Sequence, residues 1–308
     1  MTHPTLSRVF GWRTFVRMAE QSGLFASVQD AEQRLASTGY LADDELATTV
    51  FLADQLGMPL LVEGPAGVGK TELAKAVAQA TGAGLVRLQC YEGLDESRAL
   101  YEWNYRKQLL RLQVAGGDSA ETWEAAHDDI FSEDFLLARP LLEAIRRAEP
   151  TVLLIDEADK SDVEMEGLLL EILAEFQVTV PELGTIRATR RPFVVLTSNG
   201  ARELSDALKR RCLFLAIAYP SPERERQILL GRVPELSAEL AVQITRTGTT
   251  LRSLDLRKPP SVSESIDWAR ALVALGCEQL DAPTIRSTLG TVLKHTADRE
   301  RAVEALRL

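Results

Sequence analysis

The sequence predicts an α/β fold: a parallel sheet covered by helices on both faces, followed by a smaller, all-helical unit. Three observations predict it. Five short apolar runs, at 59–63, 85–89, 151–155, 193–197 and 213–217, are separated by helix-like stretches, and runs that are apolar throughout suit strands buried on both faces. The pattern begins near residue 30, and its strand signals stop at Tyr219-Pro220-Ser221-Pro222. The remainder of the chain reads as helices. The clearest opens with Ser261-Val262-Ser263-Glu264, a capping box preceded by Pro259-Pro260 and followed by Ile266, Trp268 and Leu272. The expected organisation is an N-terminal helical arm at 1–30, an α/β core at 31–219 and a helical unit at 220–308.

In chain order, the arm comes first. Residues 6–20 mix Phe10, Trp12, Phe15 and Val16 with Arg8, Arg13 and Arg17. That stripe suits either a helix packed on its own domain or an arm for a partner. After the first apolar run, Gly64-Pro65-Ala66-Gly67-Val68-Gly69-Lys70-Thr71 fits the pattern Gly-x-x-x-x-Gly-Lys-Ser/Thr without a mismatch. Leu60-Leu61-Val62 reads as a strand before it, and Leu73, Ala76, Val77 and Ala80 repeat with helical spacing after it. Glycines there let backbone N–H groups wrap phosphates, with the positive end of the following helix aimed at them. Lys70 would reach the β- and γ-phosphates, and the Thr71 hydroxyl would ligate Mg²⁺. A plain glycine turn between strand and helix is the alternative.

The third run, Thr151–Ile155, delivers Asp156 and Glu157 at its carboxyl end, where ligands sit in open α/β sheets. Asp156 would hold the Mg²⁺ coordination sphere, and Glu157 would orient and deprotonate an attacking water. Adjacent residues on a strand point opposite ways, so one acid faces metal while the next faces water. The fourth run ends in Asn199, whose amide would contact the γ-phosphate and the water, or simply form a turn with Gly200. Before the fifth run stand Arg210 and Arg211, suited to phosphate charge or to a solvated helix end.

Those elements, in this order and spacing, resemble the AAA+ ATPases over most of residues 35–308. Within that class the chain is similar to the MoxR branch, and to its CoxD-type members through LQCYEGLDESRALYEWNYRKQLL (88–110) and LRKPPSVSESIDWARAL (256–272). The resemblance implies a five-stranded parallel sheet in order 5-1-4-3-2 and a helical lid. It also implies a ring, commonly a hexamer, with ATP at each subunit junction. Gly64, Pro65, Ala66, Gly67, Val68, Gly69, Lys70, Thr71 and the adjacent Glu72 become the nucleotide cradle together with Asp156. Thr71 and Asp156 serve Mg²⁺, and Glu157 and Asn199 serve catalysis. Arg210 or Arg211, with Arg211 favoured, acts on the neighbour's ATP. The branch further implies a chaperone role toward an enzyme complex, with a molybdenum hydroxylase as one such client, and a partner bearing a von Willebrand factor A domain.

The sequence departs from the branch at one place. Where a Ser-Pro-Arg setting usually supplies a sensor-2 arginine, it has Ser261-Val262-Ser263-Glu264, with Arg257 just upstream as a substitute. Two insertions fit. Phe176–Arg187 alternates like a hairpin with a Pro181…Gly184 turn, the pre-sensor hairpin of 176–191. The insert at 91–135 places Tyr101 and Tyr105 one helical turn apart with Trp103 between them, either to grip a client or to pack on its own core.

The totals bound these readings. The 308 residues suffice for two packed units. With 45% hydrophobic and 26% charged residues, the composition is that of a globular protein. No apolar run reaches membrane-spanning length, and Met1-Thr2-His3-Pro4-Thr5 lacks the head of a secretory signal. Cys90, Cys212 and Cys277 lie far apart without metal-site spacing, which suits a reducing cytoplasm. The net charge of -10 argues against general affinity for nucleic acid. It therefore weighs against a nucleic-acid motor or loader, and Glu157 weighs against a scaffold without turnover.

Overall fold

A computed structural model describes residues 23–115 and 129–307. The stripe at 6–20 and part of the insert lie outside these residues. Helices α1 (Val28–Ser37) and α2 (Asp44–Leu56) precede strand β1 (Leu60–Glu63), which leads into α3 (Lys70–Thr81) and β2 (Gly84–Gln89). The insert contributes α4 (Glu96–Ala99), β3 (Tyr101–Trp103), α5 (Tyr105–Ala115) and β4 (Leu136–Ala138). Then come α6 (Pro140–Arg146), β5 (Thr151–Asp156), α7 (Val163–Glu175) and the strands β6 (Gln177–Val180) and β7 (Gly184–Arg187). Next are β8 (Phe193–Ser198), α8 (Asp206–Lys209) and β9 (Leu213–Ala216). Five helices finish the chain: α9 (Pro222–Arg232), α10 (Ala238–Arg252), α11 (Val262–Ala274), α12 (Ala282–Thr288) and α13 (Thr296–Ala305).

The main sheet is parallel, in the order β2-β5-β8-β1-β9. Numbered by core strand, this is the expected 5-1-4-3-2. Alternation along each strand explains why the central ones are wholly apolar. Leu60, Val62, Val152 and Leu154 enter one core with Phe25, Leu35, Val50, Leu73 and Val77. Leu61, Leu153, Ile155 and Leu196 enter the opposite core with Leu141, Ile145, Leu169 and Ile172. Successive side chains on a strand point to opposite faces, so a strand covered on both sides needs apolar residues at every position.

The two edge strands correct the reading of every run as covered on both faces. On β2 the burial alternates, with Leu85 and Arg87 outward and Val86 and Leu88 buried. On β9 Phe214 is 56% exposed. An edge strand has a neighbour on one side only, and the helical cover thins there.

The insert also departs from expectation. Tyr101 and Trp103 lie on strand β3, which pairs antiparallel with β4, and Tyr105 opens α5, so the three do not share a helix. Trp103 is buried edge-on against Tyr101 and Phe131, at 6.4 and 5.2 Å between ring centroids, whereas Tyr105 is 61% exposed. Packing accounts for the first two aromatics. Strands β6 and β7 form the antiparallel hairpin that the alternation predicts, with Pro181–Leu183 in the turn.

The last five helices enclose a separate core around fully buried Trp268, whose Nε1 donates to Thr288 Oγ1 at 2.8 Å. The capping box at Ser261 and Glu264 is present. Inside this unit Glu225 (1% exposed) pairs with Arg252 and accepts from Ser265 Oγ at 2.7 Å, while the Arg252 guanidinium lies 5.3 Å from the Tyr219 ring centre. Removing one partner of a buried pair strands the other charge. Arg252→Met should therefore destabilise the protein by about 3–5 kcal/mol in urea unfolding, and adding Glu225→Leu should recover part of that loss.

Candidate functional site

The glycine-rich turn leaves β1 at Gly64 and enters α3 at Lys70. Gly67 and Gly69 have φ of 73° and 101°, left-handed values that side chains rarely adopt. Gly64 is required for another reason: a Cβ there would stand 2.0 Å from the Ile217 carbonyl oxygen. Lys70 is 6% exposed, and its ammonium donates to the carbonyls of Gly64 and Pro65, at 2.7 Å each, and to Asn199 Oδ1 at 2.8 Å. Burial lowers its pKa, opposed by the charges of Asp159, Asp156 and Glu157. Pro65 and Ala66 are exposed at the tip of the turn, and Val68 is half-buried.

Asp156, 3% exposed, ends β5. Its Oδ1 accepts from Thr71 Oγ1 at 2.9 Å and Thr197 Oγ1 at 2.6 Å, and its Oδ2 accepts from Arg87 at 2.5 Å. Glu157 does not continue the strand. It turns left-handed (φ 56°), its N–H donating to Thr197 Oγ1 at 2.8 Å. The divergence of the two acids therefore comes from this turn, correcting the expectation of simple strand alternation. Glu157 Oε2 accepts from Gln89 Nε2 and Lys160 Nζ, each at 2.8 Å, and Oε1 accepts from Asn199 Nδ2 at 3.3 Å. Asn199, just past β8, thus touches both Lys70 and Glu157.

Arg87 and Gln89 were not singled out by sequence. Their signal is the spacing of two polar residues, two apart, in an otherwise apolar run. That spacing puts both on one face of β2, from which they fasten the two acids. Arg210 and Arg211 are exposed just before β9, with Arg211 Nη1 donating weakly to the Ala207 carbonyl (3.4 Å).

A cavity of about 630 Å³ opens beside the glycine-rich turn, a volume suited to a nucleotide-sized ligand. Gly67–Gly69, Tyr40, Ile217 and Tyr219 line it from the core, and Arg224, Arg232 and Ser263 from the helical unit. Among the described residues, two contacts close this cleft. Ser263 donates its N–H to the Gly67 carbonyl at 3.2 Å, and Arg232 pairs with Glu72 at 2.6 Å. Glu72 is thereby engaged with the lid side; Arg232 holds its carboxyl below the usual range, against the opposing effect of burial. The Arg257 side chain is exposed, and its backbone N–H donates to Asp298. The arginines lining the cleft are Arg224 and Arg232, on α9.

The donor sets fit a phosphate chain with its metal. Free backbone curvature at the turn, a buried ammonium and a helix N-terminus suit phosphates. Thr71 and Asp156 offer hard oxygen atoms, the kind Mg²⁺ takes. No helix among the described residues is long and apolar enough to cross a membrane.

Comparison with known proteins bears on the same region. The family model described as "ATPase family associated with various cellular activities (AAA)" matches residues 60–218. The chaperone protein ClpB of Corynebacterium diphtheriae is 31% identical over 199 residues, 63% of this chain and 20% of that protein. ClpB of Tropheryma whipplei is 33% identical over 144 residues, 46% of this chain and 17% of the relative. The chain thus spans about a fifth of the length of the curated relatives it matches. Among solved structures, a mutant of Thermotoga maritima RuvB matches with a TM-score of 0.47 at 15% identity, covering 87% of this chain and 71% of that one.

Cys90, one residue past β2, is buried beside the acids. Burial, aided by the charge of Asp156, pushes its thiol up to about 12, and burial does the same for Cys212. Only thiolate reacts readily. A thiol reagent at pH 8 should therefore label half-buried Cys277 first in the native protein, and all three cysteines in denaturant. Peptide mapping of the labelled sites checks this.

Proposed function

The chain belongs to the AAA family of ATPases, and from that premise we propose that it hydrolyses ATP with Mg²⁺ in a ring and uses the energy as a chaperone of the MoxR type. The observation that carries the catalytic part is the hydrogen-bonded chain from Lys70 through Asn199 to Glu157, lying beside the Thr71–Asp156 contact. It gathers, at the ends of three strands, a cation for phosphate, a carboxylate for water and an amide spanning both.

In this reading the turn at Gly64–Gly69 wraps the phosphates with its N–H groups, and Lys70 exchanges its carbonyl and amide partners for β- and γ-phosphate oxygens. Thr71 and Asp156 would hold Mg²⁺, which would supply charge neutralisation at the phosphates. Glu157 accepts a proton from the attacking water, and Asn199 keeps that water and the γ-phosphate in register. Arg232, from α9, and Ser263, at the place where the sensor-2 arginine is missing, bring the lid to the nucleotide. Lys70→Ala should abolish nucleotide binding. Glu157→Gln should bind ATP but turn it over at least about a hundredfold more slowly, as expected on losing a general base. Fluorescent-nucleotide titration and phosphate release measure the two separately, and normal turnover in Glu157→Gln would sink the assignment.

The exposed arginines Arg210 and Arg211, at the edge of the sheet, are assigned to a neighbour's ATP. An added guanidinium is worth roughly 10³–10⁵ in rate. Turnover per subunit should therefore rise with assembly, and Arg211→Ala should keep affinity while losing turnover. Mixing Arg211→Ala with Lys70→Ala should restore some activity, because the second variant lends an intact arginine to the first. Turnover that stays independent of concentration where light scattering shows only monomer would overturn the shared site.

The chaperone assignment rests on the MoxR-like segments at 88–110 and 256–272, and the ClpB relatives are themselves named chaperones. The proposed partner carries a von Willebrand factor A domain, and the proposed client is a metalloenzyme complex such as a molybdenum hydroxylase. Affinity purification from the native host with the Glu157→Gln variant and ATP should recover that partner. Recovery of nucleic-acid factors alone would favour the motor reading instead.

A further inference from the structure

Asp159 is an acid at the site to which the hydrolytic scheme gives no task, yet it is 3% exposed. It belongs to the 3-10 turn Ala158–Lys160 that follows Glu157. One carboxylate oxygen, Oδ2, accepts two backbone N–H groups from the far side of the site, Asn199 at 3.1 Å and Ala201 at 2.8 Å. The other, Oδ1, is buried and meets no hydrogen-bond donor among the described residues. A carboxylate placed like this is costly to bury, so the two N–H contacts and the Lys70 charge it faces must offset that cost. Asp159 is the foremost of the carboxylates that oppose the burial-driven fall in the Lys70 pKa.

The consequence falls on Asn199. Its amide has only one useful orientation here, because Lys70 donates and Glu157 accepts: Oδ1 must face the ammonium and Nδ2 the carboxylate. Asn199 stands past the end of β8, where ladder hydrogen bonds no longer hold the chain, and the following Gly200 is left-handed (φ 73°). The two N–H groups taken by Asp159 flank that glycine and close the turn.

We propose that Asp159 is a positioning residue for hydrolysis: it clamps the Asn199–Ala201 turn to the segment carrying Glu157, and so sets where the Asn199 amide stands between phosphate and water. This rests on the ATP-hydrolysis reading above. Asp159 acts through Asn199 and touches no substrate.

The test is a double-mutant cycle in the full chain, with Mg·ATP. Asp159→Ala should lower kcat at least about tenfold while leaving nucleotide Kd within about threefold, since the turn and not the phosphate cradle is loosened. Asp159→Asn keeps an oxygen for both N–H groups and should recover most of the rate. In an Asn199→Ala background, Asp159→Ala should cause no further loss, because a residue acting only through another adds nothing once that other is gone. Glu157→Gln run alongside separates two kinds of failure. If Glu157→Gln keeps full turnover, the hydrolysis reading falls. If it is inactive while Asp159→Ala is normal, or while the two losses multiply, or while Asp159→Asn is as slow as Asp159→Ala, the clamp alone is overturned. Thermal unfolding of each variant, compared with wild type, ensures that rate is read on folded protein. Should Asp159→Ala fail to fold, Asp159→Ser takes its place in the cycle, Asp159→Asn remains the rescue, and the same outcomes decide.

Discussion

An ammonium held out of water at the ends of parallel strands is the constraint on which the rest of this molecule turns. Lys70 is nearly inaccessible, and burial of an unpaired charge would ordinarily force it to neutralise. Two sets of groups favour its charged form. The Gly64 and Pro65 carbonyls and the Asn199 amide accept its hydrogen bonds, and nearby carboxylates, Asp159 foremost, oppose the burial-driven fall in its pKa. Those groups stand at the ends of β1, β5 and β8, so the position of one side chain depends on the register of three strands. In turn, that register holds only because each strand is apolar on both faces and sealed by two cores. The site and the fold are one packing problem.

Much of this was legible in the residues themselves. Buried parallel strands announce themselves by unbroken apolar runs, and the glycine-rich turn is an eight-residue pattern with little freedom. Sheet order came from a family likeness and not from periodicity, since nothing in a run of valines and leucines says which neighbour it pairs with. The hidden parts have the same physical origin. Arg87 and Gln89 sit in a strand at the edge of the sheet, and the edge is set by strand order, a property of the whole chain. Asp159 looks like a routine turn acid; its two N–H partners lie 40 and 42 residues away. Tyr101 and Tyr105 have helical spacing, but the pairing of β3 with β4 overrode it.

Among the described residues, two hydrogen-bonding contacts between the helical unit and the core differ in kind. Ser263 meets the backbone of the glycine-rich turn, a contact fixed in direction and indifferent to salt. Arg232 meets Glu72 through two half-exposed side chains, a pairing weakened by screening and easily exchanged for another anion. The buried Glu225–Arg252 pair stiffens the unit that carries both. Salt and competing anions therefore act on one of the two contacts and leave the other in place.

The left-handed backbone at Glu157 limits what this position can gain by substitution. A residue with a Cβ is strained at φ 56°, and glycine alone would be at ease there. Yet the same residue accepts hydrogen bonds from Gln89, Lys160 and Asn199, and glycine would leave all three without that acceptor. A relaxed backbone and an intact polar network therefore exclude one another at this one residue.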